Sequence, residues 1–223
     1  MADLRLDEHG AQRCSAVAQH MLPALLAATE EFPPAAAGVR LHGLAWLSEL
    51  LKAGGVIGQL IAEIAGADYQ PVRAIYFDKN ATTNWALGLH QDRTIAVRGS
   101  AVPAGFSLPT TKQGISHLQP PFGITEKMLT VRIHLDPVDE HNAPLLIVPG
   151  SHRGGLIEAK HIHSIAETKG IIACLAEAGD VWVYKTAILH GSERAKGRQR
   201  RRVIQADYSE DVLPTGLEWF GIA

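Results

Sequence analysis

The sequence has little cysteine and no long apolar run. Cys14 and Cys174 are its only two cysteines and form no CxxC pair, so we expect two reduced thiols. No apolar stretch approaches the roughly 20 residues that a membrane-spanning helix needs. The first residues, MADLRLDEHG, are polar and lack the apolar segment of a secretory signal. These absences predict a cytoplasmic location and no membrane partner.

The sequence also lacks an excess of charge of either sign. Its 21 basic and 23 acidic residues give a net charge of −2, which excludes a general attraction to nucleic acid. It contains no GxGxxG or Walker-type loop, which argues against a nucleotide-binding α/β fold. Hydrophobic residues make up 46% and charged residues 20%, as in ordinary globular proteins. We expect residues 1–223 to form a single domain.

The first third of the sequence has the pattern of helices. Helical patterns cover residues 11–31, 43–53 and 56–67, and FPPAAA (32–37) predicts a break. Pro23 should kink or restart the first helix, because proline cannot donate a backbone hydrogen bond. We therefore expect residues 1–70 to form a helical part that packs on the core.

From residue 71 the sequence changes to short β-branched and aromatic segments separated by turn residues. The predicted strands cover 72–78, 84–90, 94–98, 128–136, 144–148, 171–175, 181–187 and 202–208, with a turn at 149–155 and a helix at 157–168. Many short strands with turns between them indicate an antiparallel sandwich or barrel. The expected fold is mainly β, with residues 71–210 as its core.

A candidate metal site begins in the segment LHQDRT. On a strand, His90 and Asp92 would point to the same side and Gln91 elsewhere, so the first two can bind one ion. His190 follows the strand-like run GDVWVYKTAIL. Two histidines and one carboxylate leave positions open for a bidentate cosubstrate and O2, as in non-haem Fe(II) oxygenases. HxD alone is a weak signal, since a histidine on the surface or in the core is a common alternative.

Arginines follow the second histidine. Arg201 lies eleven residues after His190, in GRQRRRVIQADY. A guanidinium can bind a carboxylate through two parallel hydrogen bonds, as the far carboxylate of 2-oxoglutarate would require. Spacing alone leaves Arg200, Arg201 and Arg202 open. Strand alternation places Arg201 on one face with Val203 and Arg202 on the other.

These motifs together resemble the phytanoyl-CoA dioxygenase family of Fe(II)/2-oxoglutarate-dependent oxygenases. The matching segments are VRAIYFDKN with NWALGLHQD, MLTVRIHLDPVDEHNAPLLIVPGSHR, and GDVWVYKTAILHGSERAKGRQRRRVIQADY. An HxD pair, a PGSH turn and HGS followed by an arginine occur in this order in the family. The resemblance implies a double-stranded β-helix, a cupin-like jelly roll with N-terminal and peripheral helices.

The resemblance also implies a site and an activity. It implies His90, Asp92 and His190 as Fe(II) ligands, Arg201 as the anchor of 2-oxoglutarate, and Ser192 as a further cosubstrate contact. The implied enzyme is a dioxygenase that uses O2, is stimulated by ascorbate, and releases succinate and CO2. It would oxidise a small molecule, by hydroxylation, as a monomer or homodimer. Phytanoyl-CoA is not implied as the substrate, because family members oxidise very different small molecules.

Other polar residues are weaker candidates for the pocket. Strand alternation places Asn84 on the face of His90, which predicts a contact with the cosubstrate, unless it pairs with backbone. Trp85 should then face away and pack. Gln119, in the predicted loop SHLQPPFG, is a further cosubstrate contact or a structural loop residue.

The remaining charged residues and histidines divide into pocket and surface candidates. Arg132 and His134 share a strand face that either lines the pocket or is solvated. His152 is expected to fix its turn. Solvated positions are expected for His161, His163 and the basic loop residues Arg194, Lys196, Arg198 and Arg200. Asp78 and Lys79 end a strand, where they either approach the pocket or are solvated.

Three other functions stay open. A cupin-like metalloenzyme using Zn or Mn for hydrolysis or isomerisation would not need an arginine after the second histidine. A non-catalytic sensor of iron or 2-oxoglutarate would share every ligand, and only turnover separates it from an oxygenase. A carbohydrate-binding jelly roll would not explain the three metal-binding residues.

Overall fold

The computed structural model describes residues 4–33, 36, 38–197 and 199–223. Its helices are α1 (Leu6–His9), α2 (Leu22–Thr29), α3 (Ala45–Leu51), α4 (Val56–Ala65), α5 (Phe122–Lys127) and α6 (Ile162–Lys169). Its strands are β1 (Ala11–Cys14), β2 (Val39–Leu41), β3 (Gln70–Lys79), β4 (Leu87–His90), β5 (Ile95–Arg98), β6 (Ser107–Lys112), β7 (Ile115–Gln119), β8 (Leu129–His134), β9 (Leu145–Ile147), β10 (Ile172–Cys174), β11 (Val181–Lys185), β12 (His190–Ser192), β13 (Arg201–Ser209) and β14 (Glu218–Trp219). Within these ranges no helix combines the length and the apolar surface needed to cross a bilayer.

Two antiparallel sheets form the core. The larger sheet has the order β1-β11-β8-β13-β3-β2 and the smaller has the order β10-β9-β12-β4. Side chains of both sheets line one cleft between them, including Arg201 and Gln205 from the larger sheet and His90 and His190 from the smaller. Two facing antiparallel sheets of this kind confirm the predicted mainly β, jelly-roll fold. A third sheet, β14-β5-β7-β6, is added outside this core.

Helices α3 and α4 cover the outer face of the larger sheet. Leu47 and Leu50 of α3 and Ile57 and Ile61 of α4 recur at helical spacing and are fully buried. They share one apolar cluster with Val131, Ile133, Val183, Ile204 and Ala206 of the sheet. Burying each such side chain contributes about 1.5–3 kcal/mol, so this face anchors the N-terminal part of the chain.

The predicted helix over 11–31 is wrong in its first part. Residues Ala11–Cys14 form β1, which pairs with β11 from Ala11 opposite Tyr184 to Cys14 opposite Val181. Pairing satisfies the backbone groups of an otherwise open sheet edge, and this outweighs the helical propensity of the segment. Pro23 lies in the first turn of α2 and restarts the helix, as predicted. Residues 34, 35 and 37 of the predicted break lie outside the described residues.

The sequence prediction missed several strands of the outer layers. The hairpin of β6 and β7 occupies part of a stretch for which no strands were predicted. All six residues of β6 are exposed, so its sequence, SLPTTK, has no apolar alternation to reveal a strand. Strand β2 extends the larger sheet, and the N-terminal part is therefore not wholly helical.

Gln91 ties the segment after β4 to two neighbouring loops. Its side-chain amide donates to the carbonyls of Gly155 (3.0 Å) and Ala187 (2.7 Å) and accepts from the Ile157 backbone N–H (2.8 Å). It is 4% exposed and points away from its neighbours, as predicted. These three bonds fix the segment that carries His90 against the turn that precedes β12.

Replacing Gln91 with Ala should destabilise the fold by on the order of 3 kcal/mol, because buried carbonyls and an N–H lose their partners. The measurement is urea unfolding monitored by fluorescence. Gln59→Ala, which removes one exposed contact on α4, is the matched control and should stay within about 0.5 kcal/mol of the wild type. Equal stability of the two variants would contradict this role of Gln91.

Candidate metal centre

Strand pairing brings the two candidate histidine ligands together. His90 is the last residue of β4, His190 is the first of β12, and the two are direct partners in the register. Asp92 follows two residues after the end of β4. Gly191 allows the close approach of the strands, because a Cβ there would lie 2.7 Å from the Leu87 carbonyl oxygen. Residues 100 positions apart in the sequence thus become neighbours.

The three side chains converge on one point. The distance from His90 Nε2 to Asp92 Oδ1 is 3.7 Å and that from His190 Nε2 to Asp92 Oδ2 is 4.0 Å. One ligand atom from each residue lies within 4.8 Å of the others. Nδ1 of His90 contacts the Gly88 carbonyl (2.9 Å) and Nδ1 of His190 the Ile188 carbonyl (3.0 Å). When each Nδ1–H donates to its carbonyl, the Nε2 lone pair is free to bind an ion.

Shifted pKa values keep two of these three groups in the protonation states that bind a cation. Burial acts to raise the pKa of Asp92, but the contacts with His90, His190 and Arg73 hold it well below its usual range. Burial lowers the pKa of His190, so this imidazole is neutral. Burial also acts to lower the pKa of His90, yet the contacts with Asp92 and the Gly88 carbonyl raise it overall. An ionised carboxylate and a neutral imidazole are the forms that bind metal.

A buried ion pair supports Asp92 from the larger sheet. Arg73 on β3 lies opposite Asp207 on β13, and its Nε donates to that carboxylate at 2.5 Å. The same guanidinium lies 3.7 Å from Asp92. Thr130 donates to the other oxygen of Asp207 (3.1 Å). Neither residue was predicted for the site, although each is a charge set among apolar residues of its strand.

The candidate metal ligands open into one cleft between the two sheets. The cleft encloses about 480 Å³ of free space, part of it open to solvent. Its lining residues are Phe77, Trp85, Leu87, His90, Asp92, Arg132, Leu145, His190, Gly191, Ser192, Arg201 and Gln205. The lining therefore combines the three metal-binding side chains, two guanidinium groups and several apolar side chains.

Of the three adjacent arginines, Arg201 alone lines the cleft. Arg202 pairs with Asp136 on the outside (2.7 Å), which confirms the predicted alternation. Arg201 is 2% exposed and donates to the Ala143 carbonyl, and its Nε has no hydrogen-bond partner. Burial and the charge of Arg132 lower the pKa of Arg201 to about 9.

Arg200, which was expected to be solvated, keeps 33% of its side chain exposed but is also held by ion pairs. Arg200 forms an ion pair with Asp78 (2.9 Å), which is 1% exposed and requires a countercharge. Of the two alternatives for Asp78, the solvated one is therefore wrong. Arg194 and Lys196 are exposed as predicted, and Arg198 lies outside the described residues.

Ser192 lies in the cleft lining beside a buried lysine. Lys79 Nζ donates to Ser192 Oγ (3.0 Å) and to the Glu193 carbonyl (2.8 Å), and lies 5.0 Å from the centre of the Trp85 ring. Lys79 is 1% exposed and contacts a residue of the cleft lining, so it takes the pocket alternative and not the solvated one. It pairs with Arg201 in the register and shares its inward face. Burial, Arg201 and Arg132 lower the pKa of Lys79 to about 7.

The structure corrects two of the weaker candidates. Asn84 does not line the cleft, because its side chain donates to the Ala195 carbonyl (2.8 Å) and accepts from the Ala195 N–H (2.8 Å). Residues 84–86 precede β4, so strand alternation does not apply there, and Trp85 faces the cleft instead. Gln119 ends β7 and lies in a separate small cavity with Pro120 and Phe122.

Arg132 takes the pocket alternative that was predicted for it, whereas His134 is buried without lining the cleft. Both lie on β8 and are 7% and 1% exposed, and Arg132 lines the cleft. His152 is buried against Gly10, where a Cβ would lie 2.2 Å from its ring, in line with a role in fixing the turn. His161 and His163 are exposed, as predicted.

Comparison with known proteins gives a family and several structural relatives. A sequence model described as phytanoyl-CoA dioxygenase (PhyH) matches residues 57–203. No curated protein sequence matches the chain. AviO1 from Streptomyces viridochromogenes is 18% identical, with 95% of both chains covered and a TM-score of 0.61.

Two further solved structures share the fold. HygX from Streptomyces hygroscopicus, solved with nickel and 2-oxoglutarate bound, is 14% identical, with 97% of this chain and 86% of HygX covered and a TM-score of 0.62. SnoK, a non-haem α-ketoglutarate-dependent carbocyclase from nogalamycin biosynthesis, is 16% identical, with 92% and 81% covered and a TM-score of 0.63. At these identities the likeness establishes the double-stranded β-helix fold.

Replacing Asp207 with Asn should weaken Mn(II) binding about 10–100-fold, because Arg73 loses its fixed partner and no longer holds Asp92 in place. Mn(II) titration by calorimetry measures the effect. Asp211→Asn, which disrupts an exposed ion pair with Lys127, is the control and should leave Mn(II) affinity unchanged. Wild-type Mn(II) affinity in a folded Asp207→Asn variant would exclude the supporting role.

Proposed function

The chain belongs to the phytanoyl-CoA dioxygenase family, and we propose that it is an Fe(II)- and 2-oxoglutarate-dependent dioxygenase that hydroxylates a small-molecule substrate. One observation carries the proposal: the three metal-binding side chains and the inward-facing Arg201 line a single cleft. Two imidazoles and one carboxylate leave open positions on the ion for a bidentate oxo acid and O2. The binding of a metal and 2-oxoglutarate by HygX, which shares the fold, supports the same use of this cleft.

The donor set of the cleft fits Fe(II). His90, Asp92 and His190 would hold the ion through two imidazole nitrogens and one carboxylate oxygen. When bound, Fe(II) supplies the activation of O2 that converts 2-oxoglutarate and a C–H bond of the substrate into succinate, CO2 and a C–OH group. The protein contributes the fixed imidazole orientation that the Gly88 and Ile188 carbonyls impose.

Arg201 would bind the far carboxylate of 2-oxoglutarate. It is a buried guanidinium that pairs with no acidic side chain in the described ranges, and its free Nε can donate to an incoming carboxylate. Ser192 accepts a hydrogen bond from Lys79, so its own O–H is available to donate to the same carboxylate. These contacts would orient the oxo acid toward the metal site and hold it there during turnover.

The mouth of the cleft suits the apolar part of an organic substrate. Trp85 and Leu87 line it, and Leu87 is 50% exposed. Apolar side chains at this edge would bind a carbon skeleton beside the metal and exclude water from the reacting C–H bond. We propose a small molecule as the substrate on this basis.

Succinate formation tests the proposed function. Protein purified without oxygen is supplied with Fe(II), 2-oxoglutarate and ascorbate and then exposed to O2. The wild type should form succinate in an iron-dependent reaction, and His190→Ala should form none. Failure to bind or consume 2-oxoglutarate would contradict the proposal. Binding without consumption, even with a library of small molecules present, would indicate a sensor instead.

Replacing Arg201 with Lys should raise the concentration of 2-oxoglutarate required for half-maximal succinate formation by about 10–100-fold, because two parallel charge-assisted hydrogen bonds are lost. Arg202→Lys is the matched control, since its side chain faces Asp136 on the outside and should leave that concentration unchanged. An equal 2-oxoglutarate requirement in the two variants would contradict the role of Arg201.

A further inference from the structure

We propose that Arg132 is a second anion-binding residue of the cleft, and that it binds a carboxylate other than the one held by Arg201. The inference rests on the proposed function in one respect, namely that Arg201 holds the far carboxylate of 2-oxoglutarate. The inference adds Arg132 to the binding site and a second carboxylate to the cleft, neither of which follows from the role of Arg201.

Arg132 is buried in the cleft and has no acidic partner among the residues that the structure describes. Its Nη1 donates to the side-chain carbonyl of Gln205 at 3.3 Å, and its guanidinium carbon lies 5.7 Å from the centre of the Phe77 ring. Its Nε is buried and has no hydrogen-bond partner in the described part of the chain. Gln205 and Phe77 hold the group in place but supply no negative charge. A guanidinium held in this way can receive an anion with little loss of side-chain entropy.

The charges around the cleft leave Arg132 uncompensated. Asp92 is the one acidic residue among the lining residues that the structure describes, and it belongs to the metal site. Asp207, on the same inner face, is already paired with Arg73. Burial and the nearby charges of Arg201 and Arg132 lower the pKa of Lys79, and burial and the charge of Arg132 lower the pKa of Arg201. With a divalent metal present, one 2-oxoglutarate dianion leaves excess positive charge.

The strand register places Arg132 on the metal side of Arg201. Arg132 on β8 lies opposite Gln205, which is four residues along β13 from Arg201. At about 3.3 Å per residue this separates the two β13 positions by roughly 13 Å. Asp207, the next inward residue of β13 after Gln205, belongs to the ion pair behind Asp92. Arg132 therefore projects between the Arg201 position and the metal ligands, where a carboxylate beside the ion would lie.

Two carboxylates could occupy this position. One is the carboxylate with which 2-oxoglutarate chelates the metal, and the other is an acidic group of the primary substrate. Both carboxylates would accept hydrogen bonds from the Arg132 guanidinium. Binding of two simple anions distinguishes them. Pyruvate carries the chelating oxo-acid end without the far carboxylate. Inorganic phosphate, added after saturation with 2-oxoglutarate, stands in for an acidic group of the substrate.

The experiment is calorimetric titration of the Mn(II)-loaded wild type and of Arg132→Gln, Arg201→Gln and the exposed control Arg153→Gln. Arg201→Gln should weaken 2-oxoglutarate binding at least tenfold and pyruvate binding less than twofold. If Arg132→Gln weakens both oxo acids about tenfold, Arg132 holds the chelating carboxylate. If it weakens neither, but abolishes phosphate binding seen with the wild type, Arg132 serves an acidic substrate group. Either result supports the proposal, and Arg132→Lys should recover part of the loss.

Two results would overturn the proposal. Loss of 2-oxoglutarate affinity in Arg132→Gln with pyruvate unaffected would mean that Arg132 shares the far carboxylate with Arg201. Unchanged binding of all three anions would mean that Arg132 binds none of them. A wild type that binds Mn(II) but no oxo acid would instead contradict the proposed function, and the phosphate titration, run without 2-oxoglutarate, would still decide whether Arg132 binds an anion. Urea unfolding of each variant verifies that the fold is intact.

Discussion

The antiparallel pairing of β4 with β12 is the contact on which the candidate site depends. It sets His90 directly opposite His190 and leaves Asp92 two residues beyond the end of β4. Gly191 permits this pairing because a side chain there would meet the backbone of β4. Gln91 reinforces it through the Ala187 carbonyl, three residues before His190. Local changes that separate these two strands would therefore separate the metal-binding groups.

The larger sheet contributes charged side chains to the cleft. Whether these side chains are paired with opposite charges differs along its strands. Next to the metal ligands, Arg73 and Asp207 neutralise each other and hold the Asp92 carboxylate. Farther along the same strands, Lys79 and Arg201 are buried, and no described acidic side chain pairs with either of them. Burying an unpaired charge costs several kcal/mol, so this end of the cleft is built for an anionic ligand. A dicarboxylate that binds the metal at one end and Arg201 at the other would fit the metal site and supply the missing negative charge.

Much of the fold and the core of the site could be predicted from the sequence. Strand segments of β-branched and aromatic residues were found because they alternate, and HxD, HGS and the following arginine identified a family-like arrangement. The resemblance indicated Arg201, and alternation correctly placed Arg202 on the opposite face, because β13 is regular from its first residue. Alternation failed for Asn84 and Trp85, since those residues precede β4 and do not follow a strand period.

Features set by tertiary contacts could not be predicted in this way. β1 forms because it covers an edge of the larger sheet, and its sequence, AQRC, is equally compatible with a helix. Lys79 and Asp78 end a strand, where charges are commonly solvated. Both are buried here, where Lys79 donates to Ser192 and Asp78 pairs with Arg200. The Arg73–Asp207 pair depends on the register of β3 against β13, which no local pattern reveals.

Anaerobic binding of Fe(II) and 2-oxoglutarate, followed by visible absorption, tests the central claim most directly. Three metal ligands and an inward-facing arginine in one cleft predict one Fe(II) per chain and one 2-oxoglutarate whose binding requires the iron and produces a charge-transfer band. Both the iron and the band should be lost in Asp92→Ala. Equal 2-oxoglutarate binding without metal, or an unchanged band in that variant, would contradict the account.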